Sequence, residues 1–139
     1  MAEDGQYRFD CVMLIDDNEV DTMINQKLLE NDKFARHIYT YTSGKGALEF
    51  FKNIDRNKGF PAELTPEVVF LDINMPIMNG FAFIDALNKL SDRITKGLKI
   101  LLLTQSDSPQ DMQQAKKSKI VVDYLVKPLN PAMLKQIKV

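Results

Sequence analysis

A short apolar run that ends in a carboxylate is the feature that most constrains the fold of this chain. Val68-Val69-Phe70-Leu71 is followed directly by Asp72. The length of the run and its β-branched and aromatic residues predict a buried strand. A strand that is apolar at every position is typical of a parallel sheet covered on both faces. Asp72 would then lie at the carboxyl end of the strand, where open α/β sheets bind ligands. Pro76 and Gly80 are expected to shape the next loop, Gly80 by a backbone angle that other residues resist.

The alternation of strand and helix patterns recurs along the whole chain. Apolar or β-rich runs begin at Cys11, Ile38, Val68, Leu98 and Ile120, and each precedes a segment with helical spacing or a helix start signal. Five βα units predict a parallel sheet with right-handed crossovers and helices on both faces. We therefore predict an α/β, flavodoxin-like (βα)5 doubly wound parallel sheet with strand order 2-1-3-4-5. The predicted domain spans residues 10–139, and residues 1–9 form an N-terminal extension.

The first predicted helix carries both a start signal and an apolar stripe. Asn18 is the expected N-cap, and Asp21, three residues later, is its expected capping-box partner. Four apolar residues then recur at helical spacing and predict one buried face: Val20, Met23, Ile24 and Leu28.

Composition excludes several classes of function. The 139 residues carry a net charge of −1, so there is no basic field of the kind that drives nucleic-acid binding. No apolar run approaches the roughly 20 residues needed to span a bilayer. The only cysteine, Cys11, excludes an internal disulfide and fits a reducing compartment. We expect a cytoplasmic protein that binds neither nucleic acid directly nor a membrane.

Polar residues follow four of the predicted strands. Asp16 and Asp17 follow strand 1, Asp72 ends strand 3, Thr104 ends strand 4 and Lys127 follows strand 5. Parallel strands bring these ends to one edge, where three carboxylates would repel unless a divalent cation neutralised them. Mg²⁺ prefers about six oxygen ligands. An ammonium and a hydroxyl at the same edge suit a transferring phosphoryl group, with a carboxylate as its nucleophile.

The chain resembles the receiver domain of two-component response regulators from about residue 10 to its end. The resemblance lies in the acidic pair Asp16-Asp17 after a strand, in Asp72 followed by Met75, Pro76, Met78 and Gly80, in Thr104 after strand 4, and in Tyr124 three residues before Lys127-Pro128.

The resemblance implies a role for each matching residue at the sheet edge. Asp72 would be the phosphoacceptor. Mg²⁺, for which Mn²⁺ can substitute, would be bound directly by Asp17, Asp72 and the main-chain carbonyl of Asn74, and through a water by Asp16. The phosphoryl oxygens would be bound by Thr104 and Lys127.

The resemblance also implies a switch and its modulators. Tyr124 would turn inward when Thr104 moves toward the phosphate, and the Lys127–Pro128 peptide bond would be cis. The residue after Thr104 is usually small in this family, so Gln105 is expected to crowd the approach of a phosphodonor. Ser106 and Asn74 occupy positions that tune attack by water.

The resulting prediction is a phosphorylation switch that catalyses only its own phosphorylation and dephosphorylation, and is otherwise not an enzyme. The phosphoryl donor would be a histidine kinase or a phosphotransfer protein. No output domain fits within 139 residues, so output is expected through protein contacts unless the chain is part of a longer regulator. A downstream protein would bind the face of helix 4, strand 5 and helix 5, and a homodimer is a second form of such contact.

Three other interpretations compete with this one. A haloacid-dehalogenase-type phosphatase would need a second aspartate two residues after Asp72, where this chain has Asn74. A phosphate-independent adaptor would gain no mass from acetyl phosphate. Nucleotide hydrolysis is disfavoured because Gly44-Lys45-Gly46 lacks the other residues of a P-loop. The sole histidine, His37, precedes strand 2 and is expected at the surface, away from the acidic edge.

Overall fold

A five-stranded parallel sheet forms the centre of the protein in a computed structural model that describes residues 6–105, 108–137 and 139. The strands are β1 (Phe9–Ile15), β2 (Ala35–Tyr41), β3 (Val68–Asp72), β4 (Lys99–Thr104) and β5 (Val121–Val126). They pair in the order β2-β1-β3-β4-β5, and every pair is parallel. The predicted flavodoxin-like order is therefore confirmed.

One helix follows each strand. The helices are α1 (Glu19–Asn31), α2 (Gly44–Arg56), α3 (Gly80–Leu87), α4 (Pro109–Ala115) and α5 (Pro131–Gln136). Each begins after a residue whose side chain accepts a hydrogen bond from the backbone N–H three residues on: Asn18, Ser43, Asn79, Ser108 and Asn130. A 3₁₀ turn (Ala62–Leu64) and a one-turn helix (Asp92–Thr95) were not predicted. Within the described part of the chain, no helix combines the length and apolarity needed to cross a bilayer.

Alternation along the strands divides the core into two layers. Met13 and Ile15 of β1 point to the face covered by α2 and α3, whose largest buried contributions are Phe51 and Phe83. The intervening strand residues point to the opposite face, which α1 and α5 cover: Val12 and Leu14 there join Leu29 and Leu134. Because both faces are covered, β3 is apolar at every position from Val68 to Leu71, as the sequence indicated.

The predicted buried face of α1 is wrong. Three of its large apolar side chains are exposed: Val20 (64%), Met23 (66%) and Ile24 (58%). The residues that α1 buries are instead Thr22, Asn25 and Leu29. Thr22 tolerates burial because its hydroxyl donates a hydrogen bond to the Asn18 carbonyl at 3.0 Å. Of the four apolar residues predicted to be buried, only Leu28 packs against the core, where it is partly buried.

The register of the sheet brings the polar strand ends to one edge. Ile15 lies opposite Leu71, so Asp16 follows at the level of Asp72. Thr104 lies opposite Val126, so Lys127 follows β5 at the same edge. The predicted convergence of the strand ends therefore follows from the pairing alone.

Candidate functional site

A cleft of about 350 Å³ opens at the carboxyl edge of the sheet. Its lining is almost entirely polar and comes from the ends of β1, β3, β4 and β5 and the first turn of α1: Asp16, Asp17, Asn18, Asp21, Asp72, Asn74, Gln105 and Lys127. A larger cavity of about 470 Å³ beside the edge strand β2 includes His37 and one carboxylate, that of Glu30. His37 is thus away from the acidic edge, as predicted. The chemistry of the lining, rather than cavity size, marks the first cleft.

Three carboxylates meet in this cleft. One oxygen from each of Asp16, Asp17 and Asp72 lies within 4.8 Å of the others, the one such cluster of possible metal ligands among the described residues. Asp16 and Asp72 are buried, and Asp17 is exposed. Negative charges at this separation repel one another, and oxygen ligands of this type suit Mg²⁺ or Mn²⁺. The donor set therefore fits a divalent cation.

Backbone hydrogen bonds orient the two buried carboxylates. The N–H of Asn18 donates to Asp16 Oδ1 at 2.9 Å, and the N–H of Asn74 donates to Asp72 Oδ1 at 3.3 Å. Burial raises the pKa of Asp72 from its ordinary value of 3.8 to about 6, against the opposing effect of the Lys127 charge. The negative charge of Asp16 raises that pKa further. Asp72 is therefore largely ionised at neutral pH, but at a cost in free energy.

Lys127 supplies the positive charge of the cleft. Its Nζ lies 2.8 Å from Asp16 Oδ2, 3.4 Å from Asp21 Oδ2 and 3.7 Å from Asp72 Oδ1. Burial opposes its protonation, yet the hydrogen bond and charge of Asp16 raise the pKa of Lys127 above its ordinary value. The peptide bond between Lys127 and Pro128 is cis. The ammonium is thus charged, and it lies closer to Asp16 than to Asp72.

Of the other predicted site residues, some line the cleft and some do not. Gln105 is exposed and lines the cleft, where the sequence predicted it would crowd a phosphodonor. Thr104 is fully buried at the end of β4 and is not among the lining residues, although its carbonyl accepts a hydrogen bond from Lys127 N at 2.7 Å. Tyr124 is half-buried and lines a different cavity, of about 260 Å³, beside α4. Ser106 lies outside the described residues. The roles implied for all four stay predictions.

Gly80 is required by close approach and not by its backbone angle. A Cβ at this position would lie 2.9 Å from the Asp72 carbonyl oxygen and 3.0 Å from the Ile73 Cα. Its φ is not in the left-handed region, so the reason expected from the sequence is wrong. The N–H of Gly80 instead donates to the Ile73 carbonyl at 2.8 Å. The start of α3 is therefore held against the backbone of Asp72.

The loop between Asp72 and the start of α3 contains a strained residue that the sequence analysis did not predict. Ile77 has a φ of 69° and a fully exposed side chain. The N–H of Met78 donates to the Pro76 carbonyl at 2.7 Å, which closes a three-residue turn centred on Ile77. A β-branched residue in this conformation is an outlier. No glycine or asparagine marks the position, so the sequence carried no signal for it.

Asp21 lines the cleft, although the sequence analysis assigned it to the capping box of α1. Asn18 caps α1 as predicted, but its own N–H donates to Asp16 rather than to Asp21. The Asp21 carboxylate instead reaches Lys127.

Comparisons with known proteins agree with this geometry. The family model for the response regulator receiver domain matches residues 12–138. A two component response regulator from Cytophaga hutchinsonii is 27% identical, with a TM-score of 0.81 and 94% of each chain covered. The chemotaxis protein CheY4 of Vibrio cholerae is 26% identical, with a TM-score of 0.70 over 94% of this chain and 99% of that one.

A third solved structure shows the same fold at lower identity. The receiver domain of the histidine kinase CKI1 from Arabidopsis thaliana, complexed with Mg²⁺ and BeF₃⁻, is 19% identical. Its TM-score is 0.74, and the comparison covers 96% of this chain and 91% of that one. The search of curated proteins gave no match.

Proposed function

The chain belongs to the response regulator receiver domain family, and on that premise we propose that it is a switch that accepts a phosphoryl group on Asp72. The observation that carries the proposal is the convergence of Asp16, Asp17 and Asp72 within 4.8 Å, with the ammonium of Lys127 3.7 Å from the acceptor. Phosphoryl transfer needs little more from a protein than positioning and charge neutralisation. These residues supply both.

The transfer step follows from the chemistry of Asp72. An ionised carboxylate oxygen attacks the phosphorus of a phosphohistidine, an O–P bond forms, and the P–N bond breaks with its electron pair leaving on the donor imidazole. With a pKa of about 6, Asp72 is mostly in the reactive, ionised form at neutral pH. Lys127 then neutralises charge on the phosphoryl oxygens, and Thr104 donates its hydroxyl to them.

We also propose that the cleft binds a divalent cation. Asp17, Asp72 and the Asn74 carbonyl would hold Mg²⁺ or Mn²⁺ directly, and Asp16 would hold it through a water. When bound, the cation supplies positive charge that offsets the repulsion between carboxylates and phosphoryl oxygens. The family and the clustered carboxylates support this assignment.

The proposed donor is a histidine kinase or a phosphotransfer protein. Asp72 is only 5% exposed, so a donor histidine must enter the cleft while the rest of the donor rests on its rim. The exposed apolar side chains of α1 (Val20, Met23 and Ile24) begin two residues after the cleft residue Asn18. We include this face in the surface that the donor contacts, because exposed apolar groups next to a site favour protein association.

Output is proposed to occur through a population shift of α4, β5 and α5 toward a state that binds a downstream protein or a second copy of the chain. The protein would otherwise not be an enzyme, since it would catalyse only its own phosphorylation and dephosphorylation. We also propose a cytoplasmic location, which the unpaired, buried Cys11 supports.

Intact-mass measurement after treatment with acetyl phosphate and Mg²⁺ tests the function. The unsubstituted chain should gain the mass of one phosphoryl group, while Asp72→Asn, or the unsubstituted chain in EDTA, should gain none. Asp85→Asn, which removes an exposed carboxylate from α3, is the matched control and should be labelled normally. No mass gain in the unsubstituted chain would favour a phosphate-independent adaptor. Sustained hydrolysis of p-nitrophenyl phosphate would favour a phosphatase.

A further inference from the structure

Asp21 makes a contact that neither its helix nor the proposed metal site requires. It lies in the first turn of α1, and the sequence predicted that its carboxylate would complete a capping box with Asn18. In the structure the N–H of Asn18 donates to Asp16 instead. The Asp21 carboxylate lines the cleft and lies 3.4 Å from the ammonium of Lys127, 106 residues away in the chain.

Three carboxylates lie within 4 Å of the Lys127 ammonium and compete for it. It lies nearest Asp16, at 2.8 Å, then Asp21, at 3.4 Å, and the acceptor Asp72 is the most distant, at 3.7 Å. An ammonium has three donors, so each of these carboxylates can occupy one of them. Asp16 and Asp21 together hold the ammonium near the start of α1, while a phosphoryl group on Asp72 would compete with them for the same ammonium.

We propose that Asp21 is a positioning residue that holds Lys127 toward α1 in the unphosphorylated protein and so competes with the phosphoryl group for its ammonium. This inference rests on the proposed function of the cleft. The Asp21 side chain is 34% exposed, whereas that of Lys127 is 11% exposed. Asp21 is thus a partner that Lys127 can leave at small cost, because water can solvate the carboxylate left behind.

The competition has a direction that can be measured. Loss of the Asp21 charge removes one resting partner of Lys127 and leaves the ammonium freer to engage an anion bound at Asp72. The same loss also lowers the total negative charge around the cleft, which would favour any anion. Glu19→Gln separates the two effects, because Glu19 lies in the same exposed turn of α1 but outside the cleft lining.

The test is a titration of the full chain with beryllofluoride in the presence of Mg²⁺, followed by NMR of the backbone amides. We expect Asp21→Asn to bind beryllofluoride about threefold more tightly than the unsubstituted chain, a modest change because water already solvates part of the Asp21 carboxylate. Glu19→Gln should change the affinity less than Asp21→Asn, and Asp21→Glu, which restores a carboxylate, should return the affinity to near that of the unsubstituted chain.

Three results would overturn the inference: equal tightening by Asp21→Asn and Glu19→Gln, unchanged or weaker binding in Asp21→Asn, or a failure of Asp21→Glu to reverse the effect. Failure of the proposed function looks different, because the unsubstituted chain would then show no saturable response to beryllofluoride. Urea unfolding of each variant checks that the fold is kept.

Discussion

Replacing Asp72 with asparagine should stabilise the metal-free protein. Burial raises the pKa of Asp72 from 3.8 to about 6, so ionisation of this carboxylate opposes folding. At about 1.4 kcal/mol for each pKa unit, the cost at neutral pH is about 3 kcal/mol. Asparagine has nearly the same shape and no charge, and the pKa of about 6 already includes the attraction of the ionised carboxylate to Lys127. We therefore expect Asp72→Asn to raise the free energy of unfolding by about 1–3 kcal/mol.

The gain should depend on pH in a defined direction. Between about pH 4 and pH 6, native Asp72 keeps a proton that the unfolded chain has released, so the native state binds more protons. The free energy of unfolding of the unsubstituted chain therefore falls as the pH rises through this window. The advantage of Asp72→Asn should be small near pH 4 and complete above about pH 7.

Urea unfolding in EDTA at an acidic and a neutral pH measures this advantage. Asp85→Asn is the matched control and should change stability by no more than about 0.5 kcal/mol at either pH. Adding Mg²⁺ should stabilise the unsubstituted chain more than Asp72→Asn, since the cation binds the native carboxylates. The reasoning is refuted if Asp72→Asn is the less stable protein in EDTA at neutral pH, or if its advantage does not change with pH.

Four further substitutions test other parts of the structure. Ile77→Asn should raise the free energy of unfolding, measured by urea unfolding, by about 0.5–1 kcal/mol, because asparagine tolerates the positive φ. A loss of stability would contradict the claim that Ile77 is strained. In the same assay, Met23→Ser should lower the free energy of unfolding by at most about 0.5 kcal/mol, whereas Leu29→Ala should lower it by about 2–4 kcal/mol. The reverse order would support the buried face predicted from the sequence. Gln105→Ala should speed labelling by acetyl phosphate, because it removes a long amide from the lining of the cleft; an unchanged or slower rate would contradict this.

The sheet could be predicted because its strands carry a strong local signal. β3 is buried on both faces, so each of its residues from Val68 to Leu71 is apolar and the strand ends visibly at Asp72. Parallel pairing then brings the strand ends to one edge without further information. The three carboxylates and the ammonium of Lys127 could be placed near one another for that reason.

Features that depend on which side chains meet between neighbouring elements could not be predicted. Helical spacing shows which residues of α1 share a face, but it does not show whether that face meets the sheet, and the stripe through Met23 is exposed. The one-turn helix Asp92–Thr95 is too short to leave a periodic pattern. It is tied to α2 by the Arg93 guanidinium, which donates to the Ile54 carbonyl at 3.0 Å.

The loop and the cleft show the same limit. The spacing of Asp21 from Asn18 is that of a capping box. Only the fold shows that the Asp21 carboxylate instead contacts the ammonium of Lys127. Gly80 has a role that depends on the position of the Asp72 carbonyl, which is fixed by the sheet. In both cases the competing partner comes from another element.

The most direct test of the central claim is to locate the modification after phosphorylation. Borohydride reduces an aspartyl phosphate to homoserine, so peptide mass spectrometry after acetyl phosphate, Mg²⁺ and borohydride identifies the acceptor residue. We predict homoserine at position 72 and unchanged aspartate at positions 16 and 17. Homoserine at either of the other two positions, or a phosphorylated chain with no homoserine at all, would contradict the assignment of Asp72 as the phosphoacceptor.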